Sequence, residues 1–307
     1  MTKTTFIPLL KRIAVAVIII GTITVFYVYL RRNPEALDSL RALSIPVLAV
    51  LTLGYALTIW VNACMLYYSL LYIRKHVPLL ENFLLTGYSS IVNFFGPLQS
   101  GPGFRAVYLK KRHGVRLRDF FAVTAIFYVF FALINALIVG IATVQRYGSP
   151  LLYLAAVAVV VAGGLLLRYG YRKVGVLWAF VSAARLRDRN FWIIGAWALA
   201  LVVVMCGIYF VELQVVDSAV SLWQAVVYTA VANLALFVSL TPGAIGFREA
   251  FLLFTQQLHS VDTSVIVAAS VIDRAFYVAF LFVLFAVVLV INGRKHLPLL
   301  RGRSSSK

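Results

Sequence analysis

Two apolar segments of this chain are each interrupted by proline and glycine and then resume with the tripeptide Gly-Phe-Arg. They span residues 93–109 and 233–253, and each is followed by a Phe-Tyr-Val string that begins at Phe127 or Phe276. Paired helix breaks at corresponding positions are the best sequence indication of a transporter built from repeats, with its substrate site near the membrane midplane. We therefore expect two related halves that contribute matching parts to one site.

The composition is that of a membrane protein. The chain is 63% hydrophobic and 12% charged, with a mean hydropathy of +0.95, whereas soluble domains carry about 25% charged residues. We expect an all-α polytopic membrane protein in which residues 1–307 form a single transmembrane domain. The apolar stretch 13–30 has nearly the length of a membrane span, so we interpret it as a retained first helix rather than a signal peptide.

Six apolar stretches have about the length of 20 residues that a spanning helix needs. They are residues 13–30, 46–73, 120–144, 151–167, 191–211 and 264–291. Two further apolar regions, 83–109 and 219–258, are too long for one span and too short for two. Since helix breaks inside the bilayer need cover from protein or water, we expect two re-entrant helical hairpins. Their turns would be formed by Pro97, Gly101 and Gly103, and by Pro242, Gly243 and Gly246. The alternative is eight plain spans with two kinked pairs.

The charge distribution predicts the orientation. Most of the 28 basic residues fall on one side of the predicted spans, while Glu212, Asp217 and Asp262 fall in loops on the other side. Under the positive-inside rule this places both termini in the cytoplasm. The two hairpins then enter from opposite faces. The segment 174–184 is predicted to be a short interfacial helix on the cytoplasmic side.

The predicted order of elements repeats. Residues 10–147 and 148–292 each read as span, span, broken hairpin, span, and the two units have opposite orientations. This is an inverted repeat, followed by a basic cytoplasmic tail over residues 293–307.

Arg105 and Arg248 are the strongest candidates for substrate binding. Each follows a Gly-Phe pair just past a helix break, which predicts a position in the first turn of a half-helix. Free backbone N–H groups and the helix dipole favour an anion there, and an arginine fork adds bidentate recognition of phosphate. The alternative is that each arginine reaches an interface or caps carbonyl groups of the adjacent hairpin arm.

Three further intramembrane charges, Glu249, Asp273 and Arg274, occur only in the second unit. We expect Asp273 to pair with Arg248, or Arg274 with Glu249, because pairing offsets the cost of burial. In one interpretation these pairs are only structural. In the other, a pair opens when substrate phosphate arrives and thereby couples binding to movement.

Asn93 and Asn233 precede the two breaks. Their amides can cap the broken helices or contact the substrate. Both remain candidates for the binding site.

Nothing in the sequence predicts a cofactor or a metal. Cys64 and Cys206 lie inside apolar segments, which favours neither a disulfide nor a metal site. The four histidines lack ligand spacing and are expected in solvent or at the interface. They are His76, His113, His259 and His296.

The second break resembles a known family signature. Its sequence TPGAIGFREA is similar to the Pro-Gly-x-x-Gly-x-x-Glu motif of the lysylphosphatidylglycerol synthase transmembrane, or flippase-like, family. Pro242, Gly243, Gly246 and Glu249 match that motif, and Ala244 departs from it. The first break resembles the earlier motif of the family. The resemblance covers roughly residues 10–292 and implies an inner-membrane protein that moves a lipid between leaflets. No aminoacyl-transferase domain is recognised in the sequence, so we do not expect synthesis of the lipid here.

We therefore expect a lipid transporter and not an enzyme. It would carry a phosphate-containing lipid (a phospholipid, an aminoacyl- or glyco-lipid, or a polyprenyl-linked lipid) between leaflets by alternating access. No P-loop is present, so the lipid gradient, the membrane potential or an ion would drive it, with Glu249 and Asp273 as candidates for proton coupling. Expected partners are membrane phospholipids, including anionic headgroups at the cytoplasmic face, and the chain is compatible with a homo-oligomer or an envelope-pathway partner.

Three other function classes fit the sequence less well. Nucleic acid is excluded as a partner because the basic residues that give the net charge of +18 are scattered over short loops between spans. A membrane-embedded lipid-modifying transferase would need clustered carboxylates or histidines, and the sequence has only isolated acids. An accessory or structural subunit of an envelope lipid pathway remains an alternative.

Overall fold

The computed structural model describes residue 31 and residues 43–95, 100–148, 187–238 and 247–295. Within these ranges the ordered elements are α-helices. They are α1 (Ile45–Tyr72), α2 (Leu79–Phe95), α3 (Ser100–His113), α4 (Leu117–Tyr147), α5 (Arg189–Val216), α6 (Leu222–Val238), α7 (Phe247–Phe254), α8 (Gln256–His259) and α9 (Thr263–Lys295).

Four of these helices, α1, α4, α5 and α9, are long and apolar enough to cross a membrane. They correspond to the predicted spans 46–73, 120–144, 191–211 and 264–291, with ends that differ by only a few residues. The fold is that of a polytopic all-α membrane protein, as predicted. The predicted spans 13–30 and 151–167 and the interfacial helix 174–184 lie outside the described residues. The limits of the two repeats therefore stay predictions.

Helices α2 and α3 form an antiparallel hairpin with arms of 17 and 14 residues. Near its tip, the backbone N–H of Gly101 donates to the side-chain oxygen of Asn93 at 3.2 Å. Near its open end, which we call the mouth, the Tyr108 hydroxyl donates to Glu81 at 2.6 Å. Both arms are shorter than the about 20 residues of a full span, as expected for a hairpin that turns back.

Helix α6 pairs with α7 and α8 in a second hairpin. The Gln224 amide at the start of α6 donates to the backbone oxygen of Ser260, just after α8, at 2.9 Å. The Tyr228 and His259 rings also pack edge to face with centroids 5.6 Å apart. The mouth of this hairpin therefore lies at the beginning of α6 and the end of α8.

The two hairpin mouths lie at opposite ends of the bundle. Helix α4 begins at Leu117, next to the mouth of the first hairpin. Its last residue, Tyr147, donates a hydrogen bond of 3.1 Å to Gln257 at the mouth of the second hairpin. Helices α1 and α5 run antiparallel, since Tyr72 at the end of α1 packs on Phe191 at the start of α5. The described part of the second unit thus has the inverse orientation of the first.

Exposed basic side chains concentrate at one of these two ends, although Arg146 lies at the other. The end at the first hairpin mouth has exposed basic side chains from several helices and loops, and we call it the basic end. They are Arg74, Lys110, Lys111, Arg112, Arg116, Arg118, Arg187 and Arg189. Asp217 and Asp262 lie at the other end.

The structure corrects the expected positions of Gly101, Gly103 and Glu212. Gly101 and Gly103 lie in helix α3 and not in the hairpin turn, because a proline such as Pro102 is tolerated in the first turn of a helix. Pro97, Pro242, Gly243 and Gly246 lie outside the described residues. Glu212 is not in a loop, since α5 continues to Val216 and buries this side chain to 1% exposure.

The histidine expectation was wrong for His259. This side chain is 1% exposed, and its two ring nitrogens contact the backbone oxygen of Leu252 and the backbone N–H of Val261. It is a buried structural group of the second hairpin.

Candidate functional site

A cavity of about 310 Å³ lies between the two hairpins. Residues of α1 to α7 and of α9 line it, so every described helix except α8 contributes to its wall. The volume falls at the low end of the range of about 300–1,000 Å³ for small-molecule sites. It can hold a phosphate-sized headgroup but not a whole lipid.

Most of the predicted site residues border this cavity. They are Arg105, Arg248, Asp273, Arg274, Asn93 and Asn233. Glu249 is not part of the lining. The cavity therefore joins residues that are far apart in the sequence and come from both hairpins.

Arg105 enters the cavity from α3. It lies in the second turn of that helix rather than in the first, so the free amides of the helix start are one turn away. Its Nε donates to the hydroxyl of Ser89 on α2. Among the described residues, no carboxylate oxygen lies within 4.0 Å of the Arg105 guanidinium, so Arg105 forms no ion pair with them. Arg105 is therefore a cation inside the bundle that is held by a neutral group.

Arg248 enters from the second hairpin, in the first turn of α7. It is 3% exposed, and its Nη1 lies 2.7 Å from Oδ2 of Asp273 on α9. The same Nη1 donates to the Tyr209 hydroxyl at 3.0 Å. Within the described part of the chain, its Nε and Nη2 have no hydrogen-bond partner. Arg248 thus retains donor capacity beside the cavity.

A second ion pair extends this network. Arg274 Nη2 lies 3.4 Å from Oε1 of Glu249, and Arg248 Nη2 lies 3.6 Å from the same oxygen. Both pairs that the sequence suggested are therefore present between the second hairpin and α9. Pairing offsets the cost of about 2.5–3.5 kcal/mol that insertion scales give for a charged residue at the bilayer centre.

The Tyr55 hydroxyl connects Asp273 to a second buried acid, Glu212. It lies 2.6 Å from Oδ1 of Asp273 and 2.9 Å from Oε1 of Glu212. Tyr55 and Glu212 are 3% and 1% exposed. Tyr55 was not predicted as a site residue because it lies in an apolar run, and Glu212 was expected in a loop.

The two asparagines have different roles. Asn93 caps the start of α3 through Gly101, as one of the two interpretations expected. Asn233 is fully buried and donates to the side-chain oxygen of Asn135 on α4 at 3.0 Å. This bond links the second hairpin to the last helix of the first unit at the edge of the cavity.

The cavity has an excess of positive charge. Three arginines and one aspartate border it. Asp273 pairs with Arg248, and Glu249, which is not part of the lining, pairs with Arg274. The remaining charge comes from Arg105. An anion would balance it, and the neutral polar side chains of the lining, among them Ser89, Ser90 and Thr124, could add hydrogen bonds to it.

Comparison with known proteins identifies the family. The family model for the lysylphosphatidylglycerol synthase TM region matches residues 12–286. The chain therefore belongs to the lysylphosphatidylglycerol synthase transmembrane family. No curated protein matches it.

Proposed function

We propose that the protein moves a phosphate-containing lipid between the two leaflets of the cytoplasmic membrane, with the headgroup bound in the cavity between the hairpins. The observation that carries this proposal is the pair Arg105 and Arg248. They come from opposite hairpins and border one intramembrane cavity that has excess positive charge. Family membership supports a membrane protein of the flippase-like type.

Arg105 is the primary anion contact in this mechanism. A cation at bilayer depth is costly, and within the described part of the chain Arg105 donates a hydrogen bond only to the Ser89 hydroxyl. A lipid phosphate would supply the missing negative charge. Charge-assisted hydrogen bonds of this kind contribute about 1.5–3 kcal/mol each.

Arg248 supplies the second contact. Its Nε and Nη2 can donate to phosphate while Nη1 remains with Asp273. As phosphate approaches, it competes with Asp273 for the same guanidinium. The weakened pair loosens the contact between the second hairpin and α9, which is the step that links binding to movement.

The acyl chains stay in the bilayer. The cavity is too small for them, and we place their exit beside Phe237, which borders the cavity and is 47% exposed. The two hairpins open towards opposite ends of the bundle, so rocking of one unit against the other would expose the headgroup to each side in turn. This is transport without a chemical reaction on the lipid.

The test is translocation of fluorescent phospholipids in proteoliposomes. Headgroups of anionic, zwitterionic and cationic charge are compared for the wild type and for Arg105→Gln. Arg146→Gln is the matched control, because Arg146 is exposed at the end of α4 and away from the cavity. We expect wild type and Arg146→Gln to move phospholipids and Arg105→Gln to be at least about tenfold slower, since 1.4 kcal/mol corresponds to a factor of ten.

Equal rates for Arg105→Gln and the wild type would contradict the headgroup site. If the wild type instead releases a chemically altered lipid, a lipid-modifying transferase replaces the transporter. If the wild type moves no lipid and co-purifies stably with another envelope protein, the accessory role replaces it.

A further inference from the structure

The Tyr55 hydroxyl lies between two carboxylates and has only one hydrogen to donate. The oxygen-to-oxygen distances are 2.6 Å to Asp273 and 2.9 Å to Glu212, and both are within the normal range for O–H···O hydrogen bonds. One of the two bonds can use the hydroxyl hydrogen. The other needs a hydrogen from the carboxyl group, because two ionised carboxylates only accept.

Glu212 is the carboxyl group that carries this hydrogen. Asp273 lies 2.7 Å from Arg248, which favours its ionised form. Glu212 has no basic group within 4.0 Å among the described residues, and it is 1% exposed. An isolated ionised carboxylate in such a place is strongly disfavoured relative to the neutral acid.

The charges around Glu212 lead to the same assignment. Tyr55 faces it from α1, Asp273 and Arg274 from α9, Arg248 from α7, and Tyr228 from α6, while Tyr209 lies on its own helix. Helix α4 packs on the first half of α5 through apolar side chains instead. Together with Glu249 this network has two arginines and three carboxyl groups. It is neutral only when one carboxyl group is protonated.

We propose that Glu212 is an intramembrane proton-binding site, and that the chain Glu212–Tyr55–Asp273–Arg248 couples its proton to the substrate phosphate. When Glu212 is protonated, its O–H donates to the Tyr55 oxygen and the Tyr55 hydrogen goes to Asp273. When the proton leaves to water, the network gains one negative charge, and the arginines are held more tightly by the carboxylates. Protonation therefore favours phosphate binding, and by linkage phosphate binding favours proton uptake.

The protonated acid itself is tested by infrared difference spectroscopy on the purified full chain. We expect a carbonyl stretching band of a neutral carboxylic acid near neutral pH. Glu212→Gln should abolish this band, and Tyr55→Phe should shift it because the acid loses its hydrogen-bond acceptor. Glu81→Gln is the control, since Glu81 is also buried but contacts His113 and Arg112 at the basic end. A band that is absent, or that survives in Glu212→Gln, would overturn the proposal.

The coupling rests on the proposed lipid transport and is tested separately. The rate of wild-type translocation in proteoliposomes should fall by about tenfold or more when the pH is raised across the range in which the neutral-acid band disappears. This change lies within the usual range of coupling between two sites. In Glu212→Gln the rates at low and high pH should become equal, while Glu81→Gln keeps the wild-type pH dependence. A pH dependence that survives in Glu212→Gln would overturn the coupling. If the wild type moves no lipid, the transport proposal fails, and the infrared band still decides whether Glu212 binds a proton.

Discussion

Arg105 and Arg248 border the same cavity from opposite hairpins, but within the described residues only Arg248 has a carboxylate at ion-pair distance. The two arginines therefore cannot have equivalent roles, although the sequence places them at matching positions. Arg105 is available to an anion without competition. Arg248 shares its charge with Asp273, and in the proposed mechanism this pair responds to the arrival of substrate.

Substitution of Asp273 by Asn should destabilise the protein more than loss of both partners. In Asp273→Asn, Arg248 remains as a buried cation without its partner at 2.7 Å. Breaking a buried pair in this way costs up to about 3–5 kcal/mol, whereas replacing both partners by apolar residues of similar volume is often close to neutral. The double variant Arg248→Met/Asp273→Leu should therefore have a higher unfolding temperature in detergent than Asp273→Asn. The same unfolding temperature for the two variants would contradict this.

Gly101 should be essential for closure of the first hairpin, and Gly103 should not. A methyl group at Gly101 would lie 2.8 Å from the backbone oxygen of Ser89 and 2.9 Å from Cβ of Asn93, whereas one at Gly103 would meet nothing within 4 Å. Gly101→Ala forces the arms apart at a cost of about 1–3 kcal/mol. Gly103→Ala is neutral or stabilising, because alanine is favoured over glycine in a helix. Thermal unfolding of the two variants checks this, and equal effects would be the contrary result.

The hairpin mouths should be accessible from opposite sides of the membrane. Lys110 at the first mouth and Gln257 at the second are exposed. In a background without Cys64 and Cys206, a cysteine at position 110 should react with an impermeant maleimide only from the cytoplasm. A cysteine at position 257 should react only from the other side. Labelling of both positions from one side would rule out the inverted arrangement.

His259 should make the second hairpin sensitive to acid. Burial lowers the pKa of this imidazole, so below the ordinary value of about 6.5 the unfolded chain binds a proton that the folded chain resists. The stability that the neutral ring contributes is present above pH of about 6.5 and is lost as the pH falls through the lowered pKa.

The check on His259 is unfolding temperature as a function of pH. His259→Gln should flatten the loss of stability below pH of about 6.5, whereas His76→Gln, at an exposed position, should leave it unchanged. A His259→Gln curve that follows the wild type at every pH would refute the assignment.

Hydrophobicity predicted the long helices well because their length is set by the membrane. The ends of α1, α5 and α9 lie within five residues of the predicted limits. The pairing of Arg248 with Asp273 was also predictable, since a buried charge needs a partner and the acids near the second break were few. Placement of Gly101 in the turn failed, because a proline is compatible both with a turn and with the first turn of a helix.

The most informative contacts of the site were not predictable from one sequence. Tyr55 lies in an apolar span where a tyrosine is unremarkable, and only the packing of α1 against α5 and α9 brings it between Glu212 and Asp273. Glu212 lies near the end of its span, where an acid normally indicates a loop. Ser89 was overlooked because a lone serine on a hairpin arm has no distinctive spacing.

The central claim, that the cavity binds a lipid headgroup through its phosphate, is tested most directly by photo-crosslinking from inside it. A photoreactive residue is placed at Thr124, which borders the cavity, or at Val129, an exposed position on the same helix. We predict that position 124 captures a radiolabelled phospholipid but not a diacylglycerol, and that Arg105→Gln abolishes this capture. Position 129 should capture both lipids in either background. Equal capture of the two lipids at position 124, unchanged by Arg105→Gln, would contradict the headgroup site.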